Sequence, residues 1–232
     1  IYKWSEHFYS KLQENASNLN ENDIESLESL YTMMETSKIL CAENEGVRGI
    51  KNINNLIIKK IINRSKQTSV ENYYEGELLM ITKNNKMLDL YNGDCGILVT
   101  FKDDNTLYFM VKKASNLVEK DGKTNDKIFK LGSYVFYPLR MISKNEIDFA
   151  YAITIHKSQG SEYPAVIMPL MGGPRMLFNR NLLYTGITRA KSCVTILGSS
   201  AVVREMVDNE SENKRYTSLT ERIVEIKELM EE

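Results

Sequence analysis

Two short segments concentrate side chains suited to binding and moving charge. The first is Thr154-Ile155-His156-Lys157-Ser158-Gln159-Gly160-Ser161-Glu162-Tyr163, a dense run of donors and acceptors around one glycine, set between two apolar runs. A purely structural connection would not need so many polar groups. A loop at the carboxyl edge of a parallel sheet is where such groups meet a ligand. The second segment is Asn181-Leu182-Leu183-Tyr184-Thr185-Gly186-Ile187-Thr188-Arg189-Ala190-Lys191, an amphipathic helical run that ends on two cations just before an apolar stretch. Between Thr154 and Lys191 the bases exceed the acids by four, in a chain whose net charge is -1. A local excess of that kind suits phosphate. Arg189 carries a planar guanidinium, and the amides beside Gly160 can approach and donate to an anion.

The elements that must hold these segments follow from the hydrophobic pattern. Trp4, Phe8 and Leu12, then Ile24, Leu27, Leu30 and Tyr31, recur at helical spacing. Lys38–Ala42 reads as a short buried strand, and Ile50, Ile53, Leu56, Ile57, Ile61 and Ile62 mark one face of a helix. Near Tyr73 the texture changes. Apolar runs at Leu78–Thr82, Gly96–Phe101, Thr106–Val111 and Ser133–Tyr137 alternate with Asn-Gly-Asp, Asp-Asp-Asn and Asp-Gly turns, which suggests a small antiparallel barrel or meander. After Ile147 the α/β texture returns, with strands expected at Phe149–Ile155, Ala165–Leu170 and Cys193–Leu197. Helices are expected at 179–191, 199–207 and 217–230. The simplest organisation is an α/β domain made of residues 1–72 and 148–232, interrupted by a β domain at 73–147.

Composition limits the function classes. The chain has 232 residues, 42% of them hydrophobic, enough for a real core, so a wholly disordered chain is excluded. Near-neutral charge excludes a uniformly basic binder but not a local basic site. No apolar run approaches the length of a membrane span, and the first residues lack the pattern of a signal peptide. Cys41, Cys95 and Cys193 each lie in an apolar stretch, which suggests buried, reduced thiols in a cytoplasmic protein. Two histidines, His7 and His156, and no Cys-x-x-Cys argue against a metal centre.

The two polar segments resemble motifs V and VI of superfamily 1 DNA helicases of the RecD type. Tyr74–Asn84 followed by Tyr91–Gly96 resembles the start of the barrel inserted in the second motor lobe of that family. The run from Leu40 through Gly46, Gly49 and Asn54 resembles the segment before it in exodeoxyribonuclease V alpha subunits. The resemblance covers roughly residues 37–200. It implies a RecA-like second lobe with a parallel sheet and flanking helices, interrupted by a Src-homology-3-like barrel. No Gly-x-x-x-x-Gly-Lys-Ser/Thr and no Asp-Glu pair occurs, so the resemblance is to the carboxy-terminal part of a helicase.

What the resemblance implies for individual residues is specific. Arg189 is similar to the arginine finger that meets the terminal phosphate of ATP. Gly160, Ser161 and Glu162 stand on the nucleotide side, with Glu162 toward the ribose. Thr154, His156, Lys157 and Gln159 stand on the side of single-stranded DNA. Mg²⁺ would be held mainly by the first lobe, and that lobe and exodeoxyribonuclease V beta and gamma subunits are the implied partners. The implied activity is 5′-to-3′ movement on single strands during recombination and repair. The rival expectation is a non-catalytic nucleic-acid-binding or assembly module built on a degenerate lobe. Tyr184 is expected in the core. Lys112, Lys113, Lys120, Lys123, Lys127 and Lys130, with Tyr108 and Phe109 nearby, are a weaker candidate surface for single strands.

Overall fold

A computed structural model describes residues 24–62, 73–101, 104–113, 128–172 and 177–210. The expected helices around Trp4, Phe8 and Leu12 and at 217–230 lie outside these residues, as do Lys120, Lys123 and Lys127.

Helix α1 (Ile24–Glu35) buries Leu27, Leu30, Tyr31 and Met34, one stripe at helical spacing. It leads into strand β1 (Ser37–Cys41), whose five residues are all buried, as befits a central parallel strand covered on both faces. Helix α2 (Ile50–Ile62) turns Ile50, Ile53 and Ile57 inward. Six antiparallel strands follow: β2 (Leu78–Ile81), β3 (Cys95–Phe101), β4 (Asp104–Lys112), β5 (Phe129–Leu131), β6 (Tyr134–Pro138) and β7 (Ile147–Phe149). They form a sheet in the order β5-β6-β4-β3-β2-β7, and β5 and β7 do not pair among the described residues. The chain then returns through β8 (Ala152–Thr154), β9 (Tyr163–Pro169), α3 (Arg180–Ile187), β10 (Ala190–Leu197) and α4 (Ser200–Asp208). β1, β8, β9 and β10 make a parallel sheet in the order β10-β9-β1-β8.

The architecture is therefore mixed α/β with a parallel sheet. The two sheets share a core. Leu78, Met80, Ile97, Val99 and Phe136 on one face of the antiparallel sheet belong to the same apolar cluster as Leu40, Ile153 and Val166. Their neighbours Leu79, Ile81, Leu98, Phe109 and Val135 point the other way, into a second cluster with Leu139 and Ile142. This alternation follows from the two-residue period of a strand. Strand β7, at 147–149, straddles the boundary expected at 147/148 and pairs with β2.

Two sequence expectations fail here. Cys193–Leu197 was expected as a buried strand, but β10 is largely exposed because it is the outer strand of the sheet. For the same reason Cys193 is exposed, and Cys95 is only half-buried; Cys41 alone is buried, its thiol pushed up to about 12 by desolvation and then by Glu43.

Candidate nucleotide and nucleic-acid site

Residues 155–162 form the connection between β8 and β9. Because β1 lies between those two strands, this connection crosses β1. Thr154 is level with Cys41 at the carboxyl end of β1, whereas Ala165 is level with Ser37 at its start. The run from Thr154 to Tyr163 thus covers about six strand positions, roughly 20 Å. The segment does not sit wholly at the carboxyl edge, as the sequence suggested. It begins there, with Thr154 and His156, and ends at the amino edge, with Ser161 and Glu162.

The carboxyl end is built by a tight turn. The Ile155 amide donates to the Cys41 carbonyl at 2.9 Å, and the Lys157 amide to the Thr154 hydroxyl oxygen at 3.3 Å. Buried Ser158 donates its hydroxyl to the Ile155 carbonyl at 2.7 Å, which fixes a single 3-10 turn over His156–Ser158. His156, Lys157 and Gln159 are exposed on it. Gly160 then takes a φ of +88°, with nothing within 4 Å of where a Cβ would stand. The space beside this left-handed glycine is open, but the amides on either side already donate, Gln159 to the His156 carbonyl at 3.2 Å and Ser161 to the Ser158 carbonyl at 3.0 Å.

Arg189 meets the amino end. Helix α3 starts at Asn179, whose side chain accepts from the Leu182 amide at 2.9 Å. It stops at Ile187, so Arg189 lies in the turn before β10 rather than inside the helix. Its Nη1 donates to the Ser161 carbonyl at 3.2 Å and its Nε to the Thr185 carbonyl at 3.3 Å. Its own carbonyl accepts from the Tyr163 amide at 2.8 Å. The guanidinium is thereby tied to both polar segments, although part of its fork stays on the surface. Glu162 is exposed and stands 3.7 Å from Lys191. Tyr163 is buried, and its phenol is pushed up to about 12, chiefly by desolvation and next by Cys95.

The structure brings together Arg189, Gly160, Ser161 and Glu162, and separates them from Thr154 and His156. Lys157 reaches the other way: it lines a cleft with Ser161 and Glu162. Tyr184, expected in the core, is 69% exposed, because α3 buries Leu182, Leu183 and Gly186 instead. Ile187 is 39% exposed on the same short helix. Of the lysines expected on a surface for single strands, Lys113 is bound to Asp94 at 2.5 Å and to the Asp89 carbonyl at 2.7 Å. Tyr108 and Phe109 are buried. They belong to the core of the sheet and not to a stacking surface.

Asn54, named in the sequence only within the stretch that resembles exodeoxyribonuclease V alpha subunits, has a role that the sequence did not assign. It is 3% exposed on the inner face of α2, and its side-chain amide donates to the Phe149 and Ala152 carbonyls while its oxygen accepts from the Ala152 amide at 2.7 Å. One side chain satisfies the unpaired backbone of edge strand β8 just ahead of the site. The signal was a polar residue between Ile53 and Ile57 on an apolar helix face. Among the described residues no group of three His, Cys, Asp or Glu gathers, and no helix is long and apolar enough to cross a membrane.

Comparison with known proteins bears on these same elements. Residues 149–197 match the UvrD-like helicase C-terminal domain, a span that runs from β7 through the connection, α3 and β10. The chain is 29% identical over 196 residues to the RecBCD enzyme subunit RecD of Mycolicibacterium smegmatis, covering 84% of this chain and 30% of that protein. Over most of its length this chain is similar to RecBCD enzyme subunit RecD proteins. The RecD subunit of Haemophilus influenzae is 26% identical over 210 residues, covering 87% of this chain and 28% of that protein. The ATP-dependent RecD2 DNA helicase of Deinococcus radiodurans is 28% identical over 148 residues, covering 64% and 18%. The chain spans less than a third of the length of these RecD relatives. Among solved structures, a Pif1 helicase from Bacteroides in complex with ADP-AlF3 and single-stranded DNA aligns with 96% of this chain and 49% of that one, at 17% identity and a TM-score of 0.43.

Proposed function

We propose that this chain is the carboxy-terminal region of an ATP-dependent DNA helicase of recombination and repair. In this reading residues 1–72 and 148–232 are the second RecA-like lobe and 73–147 its inserted β domain. The observation that carries it is Arg189, anchored by Ser161 and Thr185 between the two motif segments while its fork stays partly exposed. A helix-ending arginine with no further task would have no reason to be held on both sides.

The residues divide by the end of the connection they occupy. Gly160, Ser161, Glu162 and Arg189 serve the nucleotide. Thr154, His156 and Gln159 serve the single strand, and Lys157 lies between. ATP fits the first group, because the tethered guanidinium offers donors to phosphate and the open space at Gly160 lets an anion approach. The present chain offers no carboxylate cluster for Mg²⁺ among its described residues, so the metal falls to the first lobe. Exposed Tyr184 and Ile187 beside Arg189 suit a facing lobe that covers them on closure. Movement runs 5′ to 3′, and beta and gamma subunits of an exodeoxyribonuclease are candidate partners.

The test is Arg189→Ala and Arg189→Lys in the full-length protein, with DNA-stimulated ATP turnover read beside a thermal melt. Charge develops on the transferring phosphoryl group, and a fixed guanidinium stabilises it more in the transition state than in the ground state. Turnover should fall on the order of 10³-fold in Arg189→Ala, with ATP affinity changed far less. Lysine should rescue poorly, since an ammonium lacks the fork. Near-normal turnover in a folded Arg189→Ala protein would remove Arg189 from the active site and leave the non-catalytic module as the better reading.

A further inference from the structure

A cleft of about 280 Å³ opens between the two sheets, walled by α1, the start of β1, the end of β4 and the connection. Lys38, Lys112 and Lys157 line it from three different elements. We propose that this cleft is an anion site for phosphoryl oxygens, in which Lys112 of the antiparallel sheet and Lys157 of the connection close on one phosphate above the buried Lys38. It rests on the function above only for the source of that phosphate.

Lys38 carries the inference. It is 3% exposed, yet among the described residues its ammonium forms no ion pair with a carboxylate. Its Nζ donates to the Ala150 carbonyl at 3.2 Å and stands 5.7 Å from the Tyr163 ring centroid. An ammonium has three donors, and burying one beside a single carbonyl leaves its charge uncompensated. A bound anion supplies the missing charge. Lys112 and Lys157 are exposed and likewise form no ion pair among the described residues. Lys112 rests against the Tyr31 and Tyr134 rings, at 5.7 and 5.8 Å, and so its stem is held in place.

Three acids line the same cleft. Two are compensated from outside it: Asp94 by Lys113 at 2.5 Å, and Glu162 by Lys191 at 3.7 Å. Glu35, exposed at the end of α1, is the remaining one. The convergence of cations is also felt by Cys95 in the cleft wall. Burial raises its thiol pKa; Lys38 and, more weakly, Lys157 pull it down, while Asp94 and Glu35 push it up. A phosphate in this position joins the antiparallel sheet to the connection, whose Ser161 carbonyl accepts from Arg189, so occupancy would reach the arginine through Ser161.

The phosphate has two sources, the backbone of a single strand or the phosphates of a nucleotide, and the experiment separates them. The 232-residue chain is titrated at low salt with a fluorescent oligothymidylate, with ATP and with inorganic phosphate, by anisotropy and by thermal shift. Lys112→Ala, a surface change, is the deciding variant. A single strand as source gives a roughly 5- to 10-fold loss of oligonucleotide affinity, and a slope of log K against log salt shallower by about 0.7. A nucleotide as source gives the same loss for ATP and leaves the oligonucleotide alone. Lys38→Met should abolish stabilisation by phosphate, read against its own phosphate-free melt, since it deletes an uncompensated charge but also the donor to the Ala150 carbonyl. If Lys38→Met fails to fold, Lys112→Ala still decides. Unchanged binding of all three probes by folded Lys112→Ala overturns the site, as does a wild-type chain that binds none of them. His156→Ala keeps the two proposals apart. If it leaves oligonucleotide binding intact while Lys112→Ala weakens it, the cleft stands and the helicase assignment of His156 falls.

Discussion

The two sheets solve the problem of stability differently. The antiparallel sheet is held mainly by its own ladders and buries side chains on both faces, with loop groups such as Glu75, which accepts from the Thr100 amide, adding to them. The parallel sheet has four strands, an exposed outer strand at β10 and, at β8, an outer strand of three residues. It depends on side chains reaching in from helices and connections, and those same connections carry the polar groups of the site. Function is therefore concentrated where the backbone is least self-sufficient, a pattern expected of binding loops on a scaffold.

Asn54 is the sharpest way to break that contrast. Asn54→Ala would leave the Ala152 amide and two carbonyls, of Phe149 and Ala152, without this partner. Unsatisfied buried groups cost about 1–3 kcal/mol each, so the total loss should be roughly 3–5 kcal/mol. Asn54→Asp should be as harmful, since a carboxylate still accepts from Ala152 but faces the two carbonyls with negative charge. Urea unfolding of the chain checks this: both variants should move the midpoint down with little change in slope. A shift near zero would mean that β8 is held by the ladder with β1 alone.

Glu77 tests the other sheet. It is fully buried just before β2, with one oxygen accepting from the Tyr74 amide at 3.0 Å and the other, Oε1, without a hydrogen-bond partner. Desolvation raises its pKa from 4.5 to about 7, against the lowering effect of the Tyr74 amide. The native state then holds this proton more tightly than the unfolded chain. Its stability contribution is full below about pH 4.5 and declines as pH rises toward 7. By pH 8 the penalty should reach about 3 kcal/mol. Glu77→Gln keeps an acceptor for Tyr74 and removes the charge. The variant should melt higher than wild type at pH 8, with the difference shrinking toward pH 5. Parallel pH profiles for the two proteins would show that Glu77 is not the buried acid of this sheet.

Much of this organisation was legible in the sequence, for reasons that also explain the exceptions. β1, β3, β4 and β6 announce themselves as apolar runs between turn residues, and α1 and α2 by helical spacing. β5 and β7 were missed because three-residue strands, one of them half-buried, carry no period to read. β10 was misjudged because an apolar run reports composition, while its place at the edge is set by strand order, which is not a local property. Strand order also decides that the connection crosses β1 and so divides Thr154 and His156 from Glu162 and Arg189. Asn54 was named only within a resemblance and given no role, in a chain with many asparagines, although its place on an apolar helix face distinguished it.

The smallest effect separates two glycines within the site. Gly160 has φ +88° and empty space around it, so a side chain there costs only the strain of a left-handed backbone, about 1–2 kcal/mol. Gly186 has ordinary helical geometry, but a Cβ would stand 2.4 Å from Met168 Cε and 3.3 Å from Ile155 Cδ1. Its cost is steric, offset by the roughly 1 kcal/mol by which alanine favours a helix over glycine. The thioether of Met168 is flexible enough to move aside, so Gly186→Ala should change stability by less than about 1 kcal/mol. Gly160→Ala should cost more, and Gly160→Asn should recover part of the loss, because asparagine tolerates the left-handed region. Thermal melts of the three variants rank them. If Gly186→Ala proves the most damaging and Gly160→Ala neutral, packing of α3 on β9 controls the site more than the turn at Gly160, and the open approach at Gly160 does not depend on a left-handed glycine.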